Sequence, residues 1–169
     1  MKQPKLRFRT PFAPLLNHEK WVAEVGNCDW GKLLTEDLPR LRRLALIWDE
    51  ILHENDGFPV AVELRNSSNQ HAIIIPDPSY PGHFRAQYFD GKGFSGHTTY
   101  GKDPVKVLER LLMQGYEHRS DGALVAFTRT DQWNRGMKIL QLKEQWESKR
   151  ITWAEYTQKR EEISTAYAS

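Results

Sequence analysis

The chain has 169 residues, 39% of them hydrophobic and 27% charged, with a formal net charge of +2 at neutral pH. That size and balance fit one ordinary globular domain with a small appendage, not a disordered segment. The small charge excludes a global field drawing the molecule onto nucleic acid or an anionic membrane, the single cysteine excludes an internal disulfide or a multi-cysteine zinc site, and no apolar run approaches the about 18 residues of a membrane span.

Residues 1–34 are expected to form a basic and aromatic arm, with Lys5, Arg7 and Arg9 interspersed among Pro4, Pro11 and Pro14. No signal-peptide pattern is visible in it, so the expected compartment is the cytoplasm. Residues 35–130 read as an α+β core. Leu41, Leu44, Ala45, Trp48, Ile51 and Leu52 recur at helical spacing and predict a helix over 37–54, stopped by Asn55-Asp56-Gly57. Alternation from Phe58 to Leu64 predicts a strand, and His71 to Ile75 the returning one. Pro76, Pro78 and Pro81 stiffen the loop into a third strand over 84–89, Asp90-Gly91-Lys92-Gly93 is a hairpin turn, and residues 94–100 supply a short fourth strand. Asp103 as N-cap and Pro104 at the first helical position open a second helix with Val105, Leu108, Leu111 and Leu112 toward the core, ended by Gly115. The run Ala123–Thr128 is expected as a last strand. The whole reads as a mostly antiparallel sheet of three to five strands with helices on one face.

Residues 131–169 are expected to form a two-helix hairpin. Asp131 caps the first helix, which carries Trp133, Met137, Leu140 and Trp146 and is mildly interrupted by Gly136. After a turn at 148–151, Thr152 and Glu155 form a capping box, with Ile151 and Tyr156 as its hydrophobic staple.

Three segments resemble known families. The stretch FDGKGFSGHTTYGKDPVKVLERLL, through Gly93, Phe94, Gly101 and Asp103, resembles the HicB family of small antitoxin-type domains. The α-β-β-β-α order, with Pro81-Gly82-His83 and GKGFSG before the last helix, is similar to double-stranded-RNA-binding domains. LKEQWESKRITWAEYTQKREEI resembles the SHOCT module, which implies an oligomerisation or protein-contact role.

Candidate chemistry is sparse. His97-Thr98-Thr99 has the His-x-Thr form used in pairs by two-histidine phosphoesterases, but the nearest candidate for a second copy, His71-Ala72-Ile73, lacks the hydroxyl. Glu50, His53 and Glu54 share a helical face without the second motif a di-metal bundle needs. His71, His83 and His97 have no Cys or carboxylate at ligand spacing, and Cys28 has no recognisable activating base. No phosphate-loop glycine pattern occurs. No catalytic residue, metal or cofactor is therefore assigned.

The preferred expectation is a non-enzymatic regulator that contacts a protein or protein–nucleic-acid target through Trp133, Trp146, Trp153 and Tyr156, with a homodimer through the hairpin as a further option. By analogy of size and composition, a phage- or plasmid-encoded inhibitor of a host defence system fits this description. One alternative is a nucleic-acid-binding regulator using Lys5, Arg7, Arg9, Arg40, Arg42 and Arg43, with Phe84, Tyr88, Phe89 or Phe94 stacking on bases; a second is a two-histidine-type phosphoesterase built on His97 and Thr99.

Overall fold

The computed structural model describes residues 38–167; the arm, with Lys5, Arg7, Arg9 and Cys28, lies outside them. Helix α1 spans Leu38–Glu54. Its stripe of Leu41, Leu44, Ala45, Trp48, Ile51 and Leu52 is buried as the spacing demands. The helix unwinds through two residues of positive φ, Asp56 at 50° and Gly57 at 77°, with the Gly57 amide reaching back to the Leu52 carbonyl at 2.7 Å. The Asn55 side chain donates to the Ile51 carbonyl at 2.8 Å, so the freed carbonyls of the last turn are satisfied locally.

The next strand is shorter than the alternation predicts. Strand β1 is only Glu63–Arg65. Pro59 cannot donate to a ladder, the Val60 amide turns back to the Phe58 carbonyl at 2.8 Å, and Ala61 takes a φ of 65°. Pairing still begins early, because the Ala61 amide donates to Ile74 and the Ile74 amide to Val62. Strands β2 (His71–Pro76), β3 (Phe84–Asp90) and β4 (Gly93–Gly101) follow in antiparallel succession. The β3–β4 pairing shifts register beside Phe84 and again beside Phe89, which twists this hairpin.

Helix α2 spans Pro104–Met113, with the Asp103 side chain accepting the Val105 amide as the cap pattern predicts. Val107 is buried with Leu108, Leu111 and Leu112, while Val105 sits half-buried at the margin. Gly115, at a φ of 89°, closes the helix, with Gly115 N–H to Leu112 and Tyr116 N–H to Leu111, both 3.0 Å.

One expected element changes type. Ala123–Thr128 is a helix, α3, and the last strand, β5, is His118–Arg119 instead. A six-residue apolar run satisfies both templates, and packing decides between them. As a helix it turns Leu124 and Phe127, three apart, onto the sheet, while Val125 stays 53% exposed. The Glu63 carboxylate holds this choice by accepting the Leu124 amide at 3.1 Å. The completed sheet is antiparallel throughout, in the order β4-β3-β2-β1-β5.

Alternate residues of the strands serve two cores. Leu64, Ala72, Ile74 and Ala86 face α1 and α2. Ile73 and Phe89 point the other way and meet Trp133, with Phe94, Leu124, Phe127 and Met137 packed around them. The last two helices are α4 (Asp131–Glu147) and α5 (Trp153–Ala166). Thr130, rather than Asp131, is the N-cap of α4, its hydroxyl accepting the Trp133 amide at 3.2 Å. Gly136 is the point where α4 crosses the β3–β4 turn: a Cβ there would lie 1.5 Å from the Lys92 carbonyl oxygen. The fold is thus α+β, with five helices and five strands among the described residues and the two C-terminal helices present.

Candidate functional site

The four aromatic residues singled out in the C-terminal region separate into two groups. Trp133 enters the second core and is 5% exposed. Its ring meets Phe94 edge-on at 5.1 Å, Phe89 at 6.4 Å and Phe127 in a stack at 6.5 Å. It fastens α4 to the sheet and is not presented as a contact surface. Trp146, Trp153 and Tyr156 form a triangle at the far end of the hairpin, with centroid separations of 5.0, 5.2 and 5.5 Å. Trp146 closes α4, Trp153 opens α5, and Tyr156 lies one turn further on. Exposure falls from 59% at Trp153 through 36% at Trp146 to 9% at Tyr156, so two indoles rest on a buried phenol ring.

The turn beneath these rings is tightly specified. The Lys149 amide bonds to the Trp146 carbonyl at 2.9 Å and the Arg150 amide to the Gln145 carbonyl at 2.8 Å, the paired bonds of a Schellman closure. Three residues later the capping box is complete: the Thr152 hydroxyl accepts the Glu155 amide at 3.2 Å, and the Glu155 carboxylate accepts the Thr152 amide at 2.8 Å. The Thr152 amide, with the Thr152 hydroxyl donating to the same carboxylate at 2.8 Å, holds the Glu155 carboxyl below its ordinary pKa. At its base the hairpin is tied by Arg135 to the Ser164 hydroxyl at 3.2 Å and by Lys138 over the Tyr167 ring at 5.0 Å. Met137 touches the sheet, and Trp146 lies nine residues on, roughly 13 Å along the helix. Lys149 and Arg150 are exposed at the turn.

The arginine patch of α1 is engaged with the fold. Arg40 and Arg43 both bind Glu117, and Arg40 also donates to the Met113 carbonyl at 3.2 Å. Together they tie α1 to the segment after α2. Arg42 is exposed. The strand aromatics are also occupied: Phe89 is fully buried, Phe84 and Tyr88 pack on the first core, and Phe94 packs on the second. Burial, with the nearby phenols of Tyr100 and Tyr116, pushes the Tyr88 hydroxyl up to about 12.

The histidine motifs lie apart. His97 is exposed on β4, opposite Gln87, and the Thr99 hydroxyl donates to Asp77. That bond, helped by the Ser79 amide at 2.8 Å and by Arg85 at 3.9 Å, holds the Asp77 carboxyl below its usual range and pins the proline-rich loop to the sheet. His83 approaches the Pro81 carbonyl at 3.3 Å beside Tyr80. Glu54 pairs with Arg119 at 2.8 Å. Among the described residues no three His, Cys, Asp or Glu side chains converge on a metal-sized site. No helix among them is long and apolar enough to cross a membrane.

Sequence reasoning missed the environment of His71, which is buried between two phenylalanines at the start of β2. The signal was present as His71 and Arg65 flanking one turn, but nothing in the sequence brings residues 119–123 beside them. No protein-family model, curated protein or solved structure matches the chain at a significant level.

Proposed function

We propose that this is a non-enzymatic interaction protein whose contact surface is the aromatic tip of its C-terminal hairpin. The observation that carries this reading is the placement of Trp146 and Trp153, exposed at the end of a helix pair whose docking residues lie well back along α4. Large rigid rings over a buried support, rimmed by Lys149 and Arg150, have the composition of a binding hot spot. The turn chemistry supports the reading too, because a Schellman closure and a capping box fix the rings before any partner arrives, which lowers the ordering cost of binding. The target of this reading is a protein, alone or in a nucleic-acid complex.

The test is affinity capture from the native host with tagged wild-type protein and Trp153→Ala, followed by a binding isotherm on the captured partner. Trp153 is 59% exposed, so its loss is expected to leave folding intact and to weaken binding about 30-fold or more, the scale of a hot-spot tryptophan. Unchanged affinity in both Trp153→Ala and the Trp146→Ala, Trp153→Ala double variant would remove the proposal. Light scattering of the two proteins distinguishes a second copy of the chain from a foreign partner.

A further inference from the structure

Where β1, β2 and β5 run out together, the sheet ends in a shallow cleft of about 480 Å³. Its walls come from Arg65, His71, Arg119, Ser120 and Asp121, with the small residues at the start of α3 closing the far side. Arg65 stands directly opposite His71 in the β1–β2 ladder. His71 is 7% exposed, stacked on Phe89 at 5.3 Å and edge-on to Phe127 at 5.1 Å, so its ring is fixed in place.

Two buried polar atoms at this cleft, His71 Nδ1 and Ser120 Oγ, have no hydrogen-bond partner among the described residues. Each carries the cost of leaving water without the bond that would offset it. The two guanidinium groups differ in their commitments. Arg119 is held by Asp121 at 2.8 Å and by Glu54 at 2.8 Å, so two carboxylates face its one charge. Arg65 gives one nitrogen to the neutral Asn69 side chain at 3.2 Å and keeps the rest of its donor fork. With Asp121 and Glu54 counted the two arginines are matched in charge, but among the described residues Arg65 makes no ion pair and stands beside a hydroxyl and an imidazole.

We propose that this cleft binds a phosphate-type oxyanion, with Arg65 supplying the charge and His71 and Ser120 the neutral hydrogen bonds. A planar guanidinium fork suits an oxyanion, and two arginines exclude a metal cation. Burial and the neighbouring Arg65 lower the His71 pKa, against a smaller opposing pull from Asp90, so the imidazole is neutral at pH 7 and donates or accepts according to its tautomer. A bound anion reverses that balance and favours the charged ring.

The experiment is an amide NMR titration of the full chain with inorganic phosphate replacing chloride at constant ionic strength. Saturable shifts are expected at Arg65, His71 and residues 119–123, with half-saturation at about 1–10 mM. Arg65→Gln and His71→Phe are each expected to weaken binding about tenfold, while Arg65→Lys retains most of it and the remote Arg42→Gln leaves it unchanged. His71→Phe keeps a ring between Phe89 and Phe127 and so preserves the fold. Adenosine monophosphate, titrated in parallel, identifies the source: tighter binding than inorganic phosphate assigns a nucleotide, equal binding the free anion. Absence of saturation by about 20 mM phosphate, or identical curves for wild type and Arg65→Gln, overturns the proposal.

Discussion

His71 also has a consequence for stability. Desolvation and Arg65 disfavour its charged form in the fold, whereas the unfolded chain releases it to an ordinary pKa near about 6.5. Below that value the unfolded state takes up a proton that the native state resists, so this residue makes stability fall as pH drops from about 7 toward 5. His71→Phe is expected to have a flatter profile than wild type across that window, measured by urea unfolding at several pH values. The other histidines are common to both proteins and cancel in the comparison. Parallel profiles would show that the ring is not held neutral by its surroundings. Single side chains explain the arginine patch as well: one carboxylate, Glu117, holds both Arg40 and Arg43 across a gap of more than seventy residues. No local pattern in the sequence announces that pairing.

At the scale of elements, the legible parts are those with two independent local signals. The N-cap Asp103 with Pro104, the closing Gly115 and the Thr152–Glu155 box were all readable because each combines a residue type with a fixed spacing. Ala123–Thr128 offered apolarity alone, and its helical state depends on a carboxylate sixty-one residues away. The strand from Phe58 failed for a different reason, since a buried proline and a left-handed Ala61 interrupt an alternating pattern that is otherwise sound. The two Schellman closures allow a direct comparison. Helix α2 puts Gly115 at the left-handed position; α4 puts Lys149 there, at a φ of 58°. Lys149→Gly is expected to stabilise the hairpin by about 0.5–1 kcal/mol, raising the melting temperature by about 1–4 °C. A lower melting temperature in that variant would contradict the strain assigned to Lys149.

For the whole molecule, the decisive contact is the crossing of α4 over the β3–β4 turn. The sequence shows Gly136 as a mild flaw in a helix, but the fold makes it a requirement, because a methyl group would overlap the Lys92 carbonyl. Backbone cannot rotate aside as a side chain can. Gly136→Ala is expected to cost about 1–3 kcal/mol and to lower the melting temperature by about 2–12 °C. An unchanged melting temperature would mean that α4 does not meet the turn so closely. The candidate site was legible to the same uneven degree. Trp146, Trp153 and Tyr156 could be named from the hairpin pattern, since a small helix pair cannot bury so many rings. Trp133 could not be separated from them, because its burial depends on Phe89 and Phe94 from a different part of the chain.

The division of the sheet residues between two cores carries one further implication. Along β2, Ala72 and Ile74 belong to one core and Ile73 to the other, and β3 divides Ala86 and Phe89 in the same way. Displacing either strand by a single position would exchange the contents of both compartments at once; a slip of β3, for example, would put Arg85 or Gln87 in the place of the buried Ala86. A sheet with one wet face detects such an error only on its dry side. Here each misalignment is penalised twice, so the strand pairing is protected by parity as well as by its turns.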